Sequence, residues 1–395
     1  MSRSGPRQLA PSNRAAYAPS AVFGSFFLGG FECSTHRRPD GKRLDLTAGS
    51  GHDHSALEDY RQLTEAGLKT FRDGVRWHLV EKVPGHYDWS SLLALIRAAE
   101  EAQVQIIWDL MHYGWPDGLD IFSAEFVERF CRFAAAAAGV IQQECRHTPF
   151  YCPVNEISYF AWAGGDKALM NPFCLDQGDA LKRQLVRASI AAIEAVRSVD
   201  AAARIVHAEP LVHVAPDDPE CWEGVDRAAT VHEWQYQAMD MLTGRMAPEL
   251  GGKPDYVDVL GVNYYPDNQW LLSGNTIPMG HHRYRPMREL LQECYARYRR
   301  PLFLSETGAE GTARPAWLYY VVQETLAARR SGVKVEGLCL YPVLDYPGWL
   351  NDRICQTGLL GPLDQNAVRR FYKPLLDQLI SSAADVRNQA AEVNL

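Results

Sequence analysis

Apolar and polar positions divide the chain into blocks with two different periodicities. Short runs of large apolar residues are typical of strands buried on both faces, whereas apolar residues three or four positions apart are typical of helices. The sequence predicts eight strands, within residues 26–31, 70–77, 104–109, 149–156, 204–210, 258–266, 301–308 and 336–349. It predicts helices near residues 57–68, 90–102, 123–145, 179–199, 225–242 and 365–384, and a loop at 36–55.

Eight strands that alternate with helices favour one architecture. Parallel strands joined by right-handed helical crossovers form α/β sheets, and eight of them close into a (β/α)8 TIM barrel. Because such barrels extend to more than about 400 residues as one unit, we predict a single catalytic domain over residues 21–385. The polar, Pro/Ser-rich residues 1–20 are predicted to form a flexible N-terminus, and residues 386–395 a C-terminal tail.

Composition restricts the possible partners and locations. Hydrophobic residues make up 47% and charged residues 22% of the chain, as in a globular enzyme with a large core. The net charge of −8 and the lack of a dense Lys/Arg block predict no nucleic-acid partner. The apolar run 21–31 is too short and glycine-rich for a membrane span. Nine cysteines without a CxxC pair favour a cytoplasmic location, and the oligomeric state is left open.

Glutamates follow two of the predicted strands within polar clusters. Asn155 and Glu156 end the fourth strand, and Glu306 lies between Ser305 and Thr307 at the end of the seventh. Strands four and seven face each other across a closed barrel, so both carboxylates can point into one pocket at its carboxyl end. Opposed carboxylates are what glycoside hydrolysis requires. Taken singly, each glutamate is better explained as a helix N-terminal residue favoured by the helix dipole.

The sequences around both glutamates resemble glycoside hydrolase clan A, and within it family 1, the β-glucosidase family. The motifs VNE at 154–156 and SETG at 305–308 carry this resemblance, which extends over about residues 26–349. It implies that Glu156 is the general acid/base, that Asn155 bonds the sugar 2-hydroxyl, and that Glu306 is the nucleophile. It also implies that neither a cofactor nor a metal is needed.

Three further motifs resemble the same family, at 71–77 (FRDGVRW), 110–116 (LMHYGWP) and 258–265 (DVLGVNYY). They imply that Arg72 sits beside the nucleophile, that His112 binds a sugar hydroxyl and that Tyr265, on the same strand face as Asn263, bonds Glu306. Simpler explanations exist for three of these residues: an ion pair for Arg72, a loop cap for His112 and core packing for Tyr265. The histidines without a ligand partner nearby in sequence are expected to be solvated loop residues: His52, His54, His281 and His282.

The glycone-binding motifs depart from the family pattern. Arg37 stands where the family has a glutamine that grips the sugar, and Glu32 replaces a small residue. Tyr341 replaces the first tryptophan of the strand-eight motif and Gly348 replaces its glutamate, whereas Trp349 is kept. Tyr341 and Trp349 are therefore candidate substrate contacts. Glu32 is predicted either to contact the sugar or to form a salt bridge with Arg37 or Arg38.

These observations predict an exo-acting, retaining β-glycoside hydrolase that acts on a β-linked carbohydrate substrate. The departures predict a glycone that differs from glucose by deoxygenation, an amino group or an acidic group. A transglycosidase using the same two carboxylates is an alternative, and a catalytically silent saccharide-binding barrel is another. A metal-dependent barrel hydrolase is disfavoured, because no paired His or Asp ligands are recognised at the strand ends.

Overall fold

The structure is a computed structural model that describes residues 17–393. Residues 1–16, most of the predicted flexible N-terminus, lie outside the described residues. Residues 17–20 already belong to the packed fold: Ala18 is fully buried and its carbonyl accepts a hydrogen bond of 2.8 Å from the Phe26 amide. The Ser20 hydroxyl donates to the Glu336 carbonyl at 2.7 Å. This segment therefore packs beside the amino-terminal ends of the first and last strands.

Eight parallel strands form a closed barrel in the order β1-β8-β7-β6-β5-β4-β3-β2, which confirms the predicted fold. Their bounds are β1 Phe27–Gly30, β2 Thr70–Gly74, β3 Gln105–Asp109, β4 Phe150–Cys152, β5 Arg204–Pro210, β6 Val259–Asn263, β7 Leu302–Thr307 and β8 Val335–Leu340. The first and last strands close the barrel, with Leu28 opposite Cys339. Two short strand pairs lie outside it, His213–Ala215 with Gln269–Leu271 and Tyr346–Pro347 with Ile354–Cys355.

A long helix follows each barrel strand, which is the repeat that the hydrophobic pattern indicates. The helices are α1 His52–Glu65, α2 Ser90–Ala102, α3 Ala124–Glu144, α4 Gly178–Val199, α5 Trp222–Glu233, α6 Met287–Tyr298, α7 Arg314–Arg330 and α8 Lys373–Val393. Shorter α-helices span Leu46–Gly49, Trp77–Val80, Ile157–Phe160 and Gln237–Leu242, a π-helix spans Ala161–Asp166, and 3-10 turns span Trp234–Tyr236, Pro248–Leu250, Pro254–Tyr256 and Gly311–Ala313. Among the helices of residues 17–393, none combines the length and apolar character needed to cross a membrane.

Several element boundaries differ from the predicted ones. The stretch 36–55, predicted as a loop, contains the helix Leu46–Gly49 and the start of α1. The side chain of Asp45 accepts a bond of 3.1 Å from the Ala48 amide, so a cap residue hidden in a polar stretch begins this helix. The sequence pattern also did not resolve α6 and α7, and α8 continues to Val393 through residues predicted as a tail.

The strands are shorter than predicted where their polar ends turn into loops. β2 ends at Gly74 and β4 at Cys152, immediately before Pro153, which has no amide hydrogen for a strand ladder. The apolar residues of the strands remain fully buried, whereas Asn155 and Glu156 extend beyond β4 at its carboxyl end. The same end of the barrel carries the polar residues that lie at or just after the ends of β1, β3, β6 and β7.

Candidate active site

Glu306, near the end of β7, is held by a buried cation and a phenol. The Nη1 atom of Arg72 donates to Glu306 Oε1 at 2.9 Å, and the Tyr265 hydroxyl donates to Oε2 at 2.9 Å. Glu306 is 5% exposed and Arg72 is 1% exposed, so this ion pair is shielded from water. Arg72 and Tyr265 therefore lie where the resemblance placed them, and each bonds one oxygen of the Glu306 carboxyl group.

Glu156 follows β4 and has a left-handed backbone, with φ of 44°, at the start of the helix Ile157–Phe160. Its Oε2 accepts from the Tyr113 hydroxyl at 2.5 Å and its Oε1 from Asn263 Nδ2 at 2.8 Å. Burial raises the pKa of Glu156 to about 8, and the negative charge of Glu306 adds to this rise. Glu156 can therefore carry a proton at neutral pH, beside a carboxylate that is paired with Arg72.

Asn155 connects the surroundings of the two glutamates. Its Oδ1 accepts from Arg72 Nη2 at 3.0 Å, and its Nδ2 lies 3.0 Å from both the Tyr113 hydroxyl and His112 Nε2. A continuous hydrogen-bonded chain thus runs from Glu306 through Arg72, Asn155 and Tyr113 to Glu156. This chain fixes the Asn155 side chain, because each end of the amide already has a partner of the matching type.

His112, in the loop after β3, is oriented by the last residue of that strand. Its Nδ1 lies 3.0 Å from Asp109 Oδ2, and Asp109 also accepts from Arg72 Nη2 at 2.6 Å. Burial lowers the pKa of His112, but the hydrogen bond and charge of Asp109 outweigh burial and raise it. With Asn155 Nδ2 donating to Nε2, the hydrogen bonds fit an imidazole that carries its proton on Nδ1.

Asn263, the last residue of β6, joins the site to the strand beside it. Its Oδ1 accepts from the Ser305 hydroxyl at 2.5 Å, while its Nδ2 donates to Glu156. Tyr265, two residues later, contacts the other glutamate. One strand end therefore supplies a hydrogen-bond donor to each carboxylate, which holds both side chains relative to the same piece of backbone.

Glu32 follows β1 and is another buried carboxylate at this end of the barrel, with 6% exposure. Its Oε1 accepts from the Ser34 amide at 3.0 Å and from the Ser34 hydroxyl. The predicted alternative of a salt bridge with Arg37 or Arg38 is wrong. Arg37 pairs with Asp117 at 2.7 Å, and Arg38 pairs with Asp40 and Asp352, because these exposed carboxylates are nearer than the strand end.

Aromatic side chains form the walls of the site. The ring of Tyr341 lies parallel to His112, with centroids 6.2 Å apart, and the Arg72 guanidinium lies 5.4 Å from the Tyr341 centroid. Trp349 packs against Tyr113 at 5.6 Å and Tyr159 at 6.2 Å. The Nε1 atom of Trp349 is buried and has no hydrogen-bond partner among the residues that the structure describes. A polar ligand atom could satisfy this donor.

Three site residues were not assigned roles from the sequence. Tyr113 was recognised only as lying after strand three, yet it donates to Glu156. Asp109 orients both Arg72 and His112. Glu209, near the end of β5, accepts from the Ser158 amide at 3.0 Å, and its charge contributes to the raised pKa of Glu156. The rule that found Glu156 and Glu306, a carboxylate at a strand end, would also have found Glu209.

Two expectations about histidines need correction. His52 is fully buried between Asp59 at 2.8 Å and Asp73 at 3.0 Å and stacks on Phe31, so it is not a solvated loop residue. His112 forms with Cys33 and Asp109 a buried group whose ligand atoms lie within 4.8 Å of one another, a potential metal site that the sequence did not reveal. A cation there would lie close to the Arg72 guanidinium that already pairs with Asp109, which opposes metal binding.

The fold and the convergent side chains define a (β/α)8 barrel with its polar site at the carboxyl ends of the strands, where enzymes of this fold class keep their active sites. Solved structures of family 1 β-glucosidases from Thermotoga maritima are similar to this chain over nearly its whole length. One is 16% identical with a TM-score of 0.73, over 92% of this chain and 98% of that chain. The complex with deoxynojirimycin is 16% identical, with a TM-score of 0.72 and coverage of 93% and 99%. The complex with glucoimidazole is 14% identical, with a TM-score of 0.74 and coverage of 94% and 99%.

At this level of identity, the likeness shows that the chain has the β-glucosidase fold. No protein-family model matches the sequence, and no curated protein matches it either.

Proposed function

We propose that the protein is a retaining β-glycoside hydrolase that removes a terminal glycosyl group by double displacement. The observation that carries the proposal is that two glutamates at the ends of opposite strands have different surroundings. Glu306 is paired with Arg72, and Glu156 has no cationic partner among residues 17–393 and a pKa raised to about 8. One carboxylate suited to attack and one suited to protonate are what a retaining mechanism needs.

In the first step, a carboxylate oxygen of Glu306 attacks the anomeric carbon. The bond from that carbon to the leaving oxygen breaks, and Glu156 transfers its proton to the leaving oxygen. In the second step, Glu156 takes a proton from water, the water oxygen bonds the anomeric carbon, and the ester to Glu306 breaks. This mechanism predicts carboxyl groups ~5 Å apart.

The remaining site residues have matching roles in this proposal. Arg72 and Tyr265 orient Glu306, and Asn263 and Tyr113 orient Glu156. Asn155, His112, Tyr341 and Trp349 provide polar and aromatic contacts for the sugar. The substrate is a β-linked carbohydrate with a glycone other than plain glucose. The protein acts in the cytoplasm, because all nine cysteines lie within the described residues and none forms a disulfide.

Aryl β-glycosides with good and poor leaving groups test the proposal when combined with two variants. Glu306→Gln should abolish turnover of every substrate, because nothing replaces the nucleophile. Glu156→Ala should keep the first step on activated substrates, since a good leaving group needs no proton, and azide should restore turnover by giving a β-glycosyl azide. Glu289→Gln, an exposed glutamate on α6, is the matched control and should behave as wild type.

Equal losses in both glutamate variants, without an azide product, would contradict the assignment. A wild-type protein that cleaves no aryl glycoside but binds sugars would point to the silent saccharide-binding barrel. Products longer than the substrate, found when an acceptor sugar is added, would identify a transglycosidase.

A further inference from the structure

Glu32 is a buried carboxylate that has hydrogen-bond donors but no cation. Both donors that it receives come from Ser34, and both bond the same oxygen, Oε1. Within the described part of the chain, Oε2 has no hydrogen-bond partner. An ionised carboxylate that is 6% exposed is costly to bury unless a positive charge accompanies it. The site is therefore electrostatically incomplete on the β1 side.

The neighbouring cations are already used by other carboxylates. Arg72 pairs with Glu306 and Asp109, and His112 is bound to Asp109. Arg37 and Arg43 share Asp117, and Arg38 pairs with Asp40. Among the described residues, Glu32 thus has no free cation beside it, because Arg72 is engaged by Glu306 and Asp109, and His112 is engaged by Asp109.

The charge of Glu32 interacts electrostatically with several side chains of the site. It acts on His112 and Glu306, and it contributes to the raised pKa of Tyr159, Tyr265 and Tyr341. Burial raises the pKa of Glu32 itself, and the nearby His112 and the bonds from Ser34 offset only part of this rise. Glu32 is 6% exposed and precedes Cys33, whose Sγ lies 3.3 Å from His112 Nδ1, so it belongs to the same end of the barrel as Glu306 rather than to the outer surface.

We propose that Glu32 binds a cationic group of the substrate, so that the glycone of this glycosidase is an amino sugar with a free ammonium group. This inference rests on the proposed function, and it selects one of the three glycone types that the sequence left open. An acidic glycone would bring a further negative charge beside Glu32 and Glu306 with no free cation in the described pocket. A deoxy sugar would leave Oε2 of Glu32 without a partner. An ammonium group supplies both the missing charge and donors for Oε2.

A matched set of aryl glycosides tests the proposal. The set consists of 4-nitrophenyl β-glucoside, its 2-, 3-, 4- and 6-amino-deoxy derivatives, and the N-acetyl form of each amine. At least one amine should exceed both the glucoside and its own N-acetyl form in kcat/KM by about tenfold or more, because charged hydrogen bonds contribute on this scale. The preference should disappear above the pKa of the sugar ammonium group.

Glu32→Gln keeps the size of the side chain and removes its charge, so it should reduce the preference for the amine by about tenfold or more. Glu289→Gln is the control and should leave the preference unchanged. If Glu32→Gln fails to fold, the wild-type comparison of each amine with its N-acetyl form still decides. A glucoside that equals or exceeds every amine, or a preference that survives in folded Glu32→Gln, would overturn the proposal.

The failure of the proposed function gives a different result. If no aryl glycoside is cleaved, the binding of free amino sugars and of glucose to the Glu306→Gln variant can still be compared by calorimetry. Tighter binding of an amino sugar would support the Glu32 subsite without hydrolysis, and equal or weaker binding would reject it.

Discussion

Replacing Tyr113 with phenylalanine removes one of the two hydrogen bonds to the Glu156 carboxylate. The Tyr113 hydroxyl donates to Oε2 at 2.5 Å, and this bond favours the ionised form of Glu156. A buried hydrogen bond to a charged group contributes about 1.5–3 kcal/mol, and one pKa unit corresponds to about 1.4 kcal/mol. Tyr113→Phe should therefore raise the pKa of Glu156 from about 8 by about one to two units.

The pH profile of kcat/KM shows this change directly. Glu156 must be protonated to assist a poor leaving group, so activity falls as the pH rises through its pKa. In Tyr113→Phe, this basic limb should move to higher pH by about one unit or more. The control is Tyr159→Phe, because Tyr159 lies near Glu156 but makes no hydrogen bond to it in the described structure. A basic limb that stays in place, or moves to lower pH, would refute the reasoning.

Two further predictions concern stability. Asp73 and Asp59 outweigh the effect of burial and raise the pKa of His52 to about 9. The stabilising contribution of His52 should therefore be complete below about pH 6.5, and it should be lost as the pH rises through about 9. Urea unfolding of wild type and His52→Gln at pH 6 and 9.5 measures this, and an equal loss of stability in both proteins would contradict it. In Gly30→Ala, the new Cβ would lie 2.1 Å from Tyr341 Cδ2, so the variant should lose about 1–3 kcal/mol of stability. It should also lose activity, because the Tyr341 ring has to shift. Gly139→Ala, whose new Cβ would meet nothing nearer than 3.9 Å, is its control and should be no less stable than wild type.

The barrel could be predicted because its strands are continuous apolar runs and its helices have a clear period. The strand-end rule located Asn155, Glu156 and Glu306, since in a parallel barrel all strand ends meet at one edge. Element boundaries were less accurate where polar residues are part of a helix, as at Asp45 and His52. One partner of His52, Asp73, comes from another element and is not visible in the local pattern.

The contacts within the site depended on backbone conformations that sequence periodicity does not report. Tyr113 and Glu156 both have left-handed backbones, with φ of 65° and 44°, and these turns bring the Tyr113 hydroxyl to the Glu156 carboxylate. The contacts of Glu32 could not be predicted from the sequence either, because the sequence does not show that Arg37 and Arg38 form ion pairs with exposed carboxylates.

The pairing of β1 with β8 determines when the site can exist during synthesis. Leu28 is made early and its partner Cys339 late, so a nascent chain holds β1 with one unpaired edge until almost all of the barrel has left the ribosome. Glu32 follows β1 and Tyr341 follows β8, so the candidate site is assembled by the same final step. An incomplete chain would contain Glu156 and even Glu306 but lack the part of the candidate site that Tyr341 forms, and its exposed strand edge would favour aggregation.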